Sequence, residues 1–145
     1  MTLHADYDPE NVFAKILRGD MPNVTVYEDD TVLAFMDVFP QSDGHTLVIP
    51  KNIKARNLLD MPSNKLGSYM LKVQKVARAV EAGLKPDGVV ITQFNGGVAG
   101  QTVFHLHFHI IPRWQGVTLG RHAGSDMADI DKLQTLAEQI KSGFA

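Results

Sequence analysis

One nine-residue stretch limits this chain more than any other: Val103-Phe-His-Leu-His-Phe-His-Ile-Ile111. Apolar residues and histidines alternate through it. With six histidines in 145 residues, three in alternation would arise by chance about 0.01 times. In a strand, successive side chains point to opposite faces, so His105, His107 and His109 would share one face. Phe104, Leu106, Phe108 and Ile110 would share the other. A helix would set His107 roughly opposite its two companions. The apolar alternates therefore specify a strand over 103–111 with its oily face on a core.

The remaining pattern supplies partners for that strand. Residues 11–19 read as a short helix with Val12, Phe13, Ile16 and Leu17 at helical spacing, stopped by Gly19. β-rich runs at 24–28 and 31–37 flank Asp29-Asp30 and predict a hairpin. His45 to Ile49 reads as a third strand, ended by Pro50. Pro62 opens a long helix to about Ala82, with Leu66, Met70, Val73, Val76, Ala77 and Val80 on one face and Gly83 as its C-cap. Val89 to Phe94 is a fourth strand, the histidine segment a fifth, ended by Pro112. Asp126 to Lys141 reads as a last helix carrying Met127, Ile130, Leu133, Leu136, Ala137 and Ile140. The order α-β-β-β-α-β-β-α predicts an α+β fold: an antiparallel sheet of about five strands with helices packed on it. We expect a leader over 1–10, a domain over 11–113, and a C-terminal extension with its helix over 114–145.

Composition narrows the chemistry. The chain has no Cys, which excludes disulfides, thiolate metal sites and a Cys nucleophile. A net charge of −2 advertises no nucleic-acid or membrane partner. The first twenty residues show no apolar h-region. These features lead to the expectation of a cytoplasmic protein.

Three imidazoles on one face admit three readings. They could be satisfied core histidines, although six ring nitrogens would then need partners. They could ligate a metal, with His45 as a fourth ligand, although no carboxylate follows the triplet closely. Or a neutral imidazole could attack phosphorus while its neighbours hold phosphate oxygens. The loop Asn95-Gly-Gly-Val-Ala-Gly-Gln-Thr102 favours the last, because glycines let main-chain N–H groups approach an anion.

The run Gly100-Gln-Thr-Val-Phe-His105-Leu-His107-Phe-His109-Ile-Ile-Pro-Arg113 resembles the signature of the histidine triad family. Val12 to Ile16, Glu28-Asp29-Asp30, Ala34 to Asp37 and Gly44 to Lys51 follow in that family's order, so the likeness covers roughly residues 11–113. It is most similar to the bacterial Hint-like, nucleotide-binding branch. The resemblance implies a homodimer whose two sheets join edge to edge. It implies hydrolysis or transfer at the α-phosphorus of purine nucleotide conjugates, such as nucleoside phosphoramidates or adenylyl esters. His107 would be the nucleophile, its tautomer fixed by the His105 carbonyl. His109 would touch the phosphate and His45 would support it as a proton relay. Asn95, Gln101 and Thr102 would bind phosphate or leaving group. Asp37 would hold the ribose hydroxyls, and Phe13, Ile16, Met21, Phe35 and Val38 would wall the base. No cofactor is implied. The structural zinc of many members, held by Cys-x-x-Cys and a His soon after Ile-Pro-Lys, is expected to be absent, since Asn52 and Ile53 follow Lys51 here. A regulatory protein that binds nucleotide without turnover, or a metal hydrolase ligated by the triad, stands as the alternative.

Overall fold

Alternation in the sequence becomes a pleated sheet with two unlike faces. The structure, a computed structural model, describes residues 3–122, 124 and 126–145. Met1 and Thr2 of the expected leader, and Ala123 and Ser125 of the expected extension, lie outside the described residues. The elements are α1 (Val12–Leu17), β1 (Thr25–Glu28), β2 (Val32–Met36), β3 (Thr46–Pro50), α2 (Ser63–Leu84), β4 (Gly88–Thr92), β5 (Phe108–Arg113) and α3 (Ile130–Lys141), with 3-10 turns at Leu58–Asp60 and Gly97–Ala99. All five strands pair antiparallel in the order β1-β2-β3-β5-β4. Among the described residues, no helix is long and apolar enough to cross a membrane.

One face of the sheet carries Val32, Ala34, Met36, Val48, Phe108 and Ile110. They pack with Tyr69, Val73, Val76 and Val80 of α2 and Leu133, Ala137 and Ile140 of α3. The Tyr69 hydroxyl donates to the Val48 carbonyl (2.7 Å), so this buried phenol keeps a partner. The other face carries Leu33, Phe35, Leu47 and Ile49 beneath Phe13 of α1. His109 joins this second face, paired in register with Leu47 of β3 and Thr92 of β4.

Three local expectations are corrected. The histidine strand does not begin at Val103: β5 starts at Phe108, and the chain before it bends. There the Leu106 N–H donates to the Ala55 carbonyl (2.9 Å) instead of to a neighbouring strand. At its other end β5 continues through Pro112 to Arg113, where, among the described residues, it pairs with β4 alone. A strand bordered on one side tolerates the missing N–H.

Gly83 is not the cap of the long helix. α2 runs on to Leu84, and Lys85 takes the left-handed cap conformation (φ 54). Gly83 serves a close crossing instead, because a Cβ there would strike the Gln139 main chain of α3. Gly143 answers it, lying against the Ala79 carbonyl of α2. Finally, the last helix begins at Ile130, capped by Asp129, and Met127 is 61% exposed rather than part of the core.

Candidate active site

Hydrogen bonding fixes the ring state of each histidine near β5. His107 Nδ1 lies 2.7 Å from the His105 carbonyl. A carbonyl only accepts, so Nδ1 carries the proton and Nε2 presents a bare lone pair. The Gln41 N–H donates to His45 Nδ1 (3.0 Å). The His45 proton therefore sits on Nε2 and points at His109 Nδ1, 2.9 Å away. His109 accepts there, which leaves its own proton on Nε2. That Nε2 is buried and has no partner.

Burial also sets the charge of these rings. Desolvation pushes the His107 imidazole down to about 4, opposed by its bond to the His105 carbonyl. His109 is driven further down by burial and by the neighbouring imidazoles His107, His45 and His122. Burial lowers His45 too, although the Asp37 carboxylate, 3.4 Å from its Nε2, opposes the shift. At neutral pH the group is uncharged, and a lone pair at His107 Nε2 faces no competing proton.

His105 stands apart. Its Nε2 donates to the Pro50 carbonyl (3.0 Å), and its Nδ1 accepts from the Tyr7 hydroxyl (2.6 Å). Its ring therefore has both nitrogens occupied away from the His107–His109 pair, whose ring centroids are 4.9 Å apart. Leu106 packs in the same core cluster as Phe108 and Ile110, so the alternation continues through the bend, but His105 spends both ring nitrogens on Pro50 and Tyr7. His105 reaches the site through its carbonyl.

The glycine loop closes on itself. Gln101 is buried; its Nε2 donates to the Arg56 and Val103 carbonyls, and its Oε1 accepts from the Gly96 N–H. Both amide hydrogens are committed, so in this arrangement Gln101 braces the loop and offers no donor to a ligand. Asn95 Oδ1 likewise accepts from the Leu58 N–H and Gln93 Nε2. Thr102 is exposed. Among the described residues, the main-chain N–H groups of Thr102 and Val103 take no hydrogen bond. These main-chain donors are unspent.

Beside the histidines lies a cavity of about 390 Å³. Phe13, Ile16, Met21, Phe35, Val38 and Asp37 all line it. The wall is apolar except at a few points, one of them the Asp37 carboxylate, whose Oδ1 accepts from the Phe39 N–H (2.8 Å). An apolar slot with one carboxylate suits a flat ring attached to a polyol.

A family model for the HIT domain matches residues 18–116. The chain belongs to the HIT family. A HIT-like protein from Bartonella henselae, solved with an unknown ligand and described as involved in cell-cycle regulation, is 45% identical with a TM-score of 0.89; the match covers 96% of this chain and 99% of that one. A hypothetical histidine triad nucleotide-binding protein from Sulfolobus tokodaii is 31% identical with a TM-score of 0.81, covering 91% and 90%. The adenylylsulfatase HINT3 of Arabidopsis thaliana is 37% identical over 118 residues, 77% of this chain and 59% of the plant protein.

The Cys-x-x-Cys and the His after Ile-Pro-Lys that hold zinc in many relatives have no counterparts in the sequence of this HIT protein. It has no Cys, and after Lys51 stand Asn52, whose amide donates to the Asp30 carbonyl, and Ile53. Nor can the triad chelate as a unit while both His105 ring nitrogens are hydrogen-bonded to Tyr7 and Pro50. The grouping that converges is Asp37, His45 and His109, with one ligand atom from each within 4.8 Å of the others. Its Nε2–Nδ1 hydrogen bond already joins the two imidazoles.

Sequence reasoning missed contributions from the C-terminal segment. The ring of His122 lies 4.7 Å from Phe94 and 5.5 Å from His109, centroid to centroid. Met127, Ile130 and Gln134 complete the cavity wall. The Gly120 N–H donates to the Gln41 carbonyl (2.7 Å), and the Ala128 N–H to the Val38 carbonyl (2.9 Å), which ties this segment to the site. Exposed apolar residues just before a helix were the one available signal.

Proposed function

We propose that this protein cleaves purine nucleotide conjugates at the α-phosphorus through a nucleotidyl–His107 intermediate. One observation carries the reading. The His105 carbonyl locks the proton on His107 Nδ1, so Nε2 offers its lone pair beside a buried His109 N–H that has no acceptor. An incoming phosphoryl group satisfies both, with phosphorus for the lone pair and oxygen for the N–H. The unpaired N–H groups of Thr102 and Val103 add donors for phosphate oxygens, and Asp37 with the apolar cavity receives the nucleoside. The adenylylsulfatase and nucleotide-binding relatives support the same substrate class.

The chemistry is positional and electrostatic. His107 Nε2 attacks phosphorus, the leaving group departs, and water then releases the nucleotide. The test is rapid quenching with an adenosine 5′-phosphoramidate followed by mass spectrometry of the 103–113 region. A nucleotidyl mass on His107, absent from His107→Ala, is expected. A fully active His107→Ala protein would defeat the reading. The Asp37, His45 and His109 grouping favours a metal hydrolase as the competing reading, and chelator-sensitive activity with stoichiometric metal would select it. We further propose a dimer joined along β4, where Val90 and Ile91 are 39% and 47% exposed at the sheet edge. Sedimentation equilibrium giving a monomer would refute it.

A further inference from the structure

Two buried ring nitrogens near β5 lack partners, and they are opposite in kind. His109 Nε2 is a donor without an acceptor. His122 Nε2 lies 2.7 Å from the Gly100 carbonyl and so carries the proton of that ring. His122 Nδ1 is therefore a lone pair, and it too is buried and unpartnered. An unsatisfied buried donor or acceptor carries a desolvation penalty, so a ligand that supplies the missing partner is favoured. Here the missing pair is an acceptor for His109 and a donor for His122, on rings whose centroids are 5.5 Å apart. A phosphoryl oxygen with a water molecule next to it supplies both.

We infer that His122 is the general base for the hydrolytic half of the reaction. The inference rests on the nucleotidyl–His107 reading above. In that step the water oxygen attacks phosphorus and forms the new P–O bond. The bond from phosphorus to His107 Nε2 breaks, and its electron pair returns to Nε2. One water proton passes to His122 Nδ1, and the imidazolium later releases it to solvent. The Gly100 carbonyl is suited to the transient charge, because it already accepts the Nε2 proton that the imidazolium shares.

Placement supports the role. Gly100 belongs to the same loop as the unpaired Thr102 and Val103 donors. Gln41 links the rest: its N–H holds His45, while its carbonyl and amide bind the N–H and carbonyl of Gly120, two residues before His122. The ring thus arrives from the C-terminal segment while His107 arrives from the chain leading into β5. A base separate from the nucleophile is what a double displacement needs, since His107 is bonded to phosphorus when water attacks.

The experiment follows both half-reactions in the full-length protein with an adenosine 5′-phosphoramidate that releases a chromophoric amine. His122→Gln keeps a side-chain donor for the Gly100 carbonyl but removes the base. It should give one equivalent of amine in a burst and accumulate the nucleotidyl protein, with steady-state turnover lowered about 100-fold or more. His122→Ala should behave the same, and added imidazole should restore its second phase alone. If both variants slow amine release and hydrolysis equally, with no adduct accumulating while wild type still forms one, His122 is structural and the inference is overturned. If wild type forms no adduct and His107→Ala remains active, the proposed function falls and this role with it.

Discussion

The two faces of the sheet are built from the same alternating strands and filled in opposite ways. On one face, 22-residue α2 and 12-residue α3 bury Val32, Met36, Val48 and Ile110. On the other, the six residues of α1 bring one buried residue, Phe13, and a cavity of about 390 Å³ remains. The same pleat that sends Phe108 and Ile110 into the packed layer sends His109 toward the unfilled one. Stability and chemistry are thereby separated by one residue of register.

Acid should expose that division most strongly. His105 and His107 are held neutral by burial, each at about 4 in the fold against roughly 6.5 in an unfolded chain. Between those values the unfolded state binds protons that the native state refuses, so stability rises with pH. Their contribution is complete above about pH 6.5, is lost as pH falls toward 4, and amounts to several kcal/mol on the order of the shifts. Urea midpoints at pH 7.5, 5.5 and 4.5 should fall in that order; a midpoint that holds steady would break the account.

Truncation should separate the faces next. Ile110→Ala empties fully buried volume under α2 and α3 and should destabilise by about 2–5 kcal/mol. Ile16→Ala, on the half-buried cavity wall, should cost well under that and act on nucleotide affinity instead. Equal losses of stability from the two would erase the distinction. Asp37→Ala should have the smallest effect on the fold and lower AMP affinity about tenfold, read by titration calorimetry, because it removes charge-assisted hydrogen bonds to hydroxyls. Unchanged affinity would remove Asp37 from the ligand.

Much of this arrangement was legible in local pattern. Alternation fixed the face of His109, and the helical stripe of α2 foretold Val73, Val76 and Val80 in the core. What failed depended on distant partners. The strand starts at Phe108 and not at Val103 because a carbonyl at Ala55 captures the Leu106 N–H, and nothing in 103–109 encodes that. Gly83 carries a cap's composition but answers to α3, some sixty residues away in sequence. His122 and Met127 reach the cavity or its histidines from a segment without period, placed by main-chain bonds to Gln41 and Val38. Periodicity reports on faces of regular elements and is silent about where an irregular strap will lie.

The seam between α2 and α3 has a consequence for selectivity. Gly83 and Gly143 let the two backbones touch, and α3 carries Ile130 and Gln134 to the rim of the cavity. The width of the opening is therefore governed by how deeply one helix beds into another, at a seam whose glycines do not line the cavity. Two absent side chains help set the size of that opening.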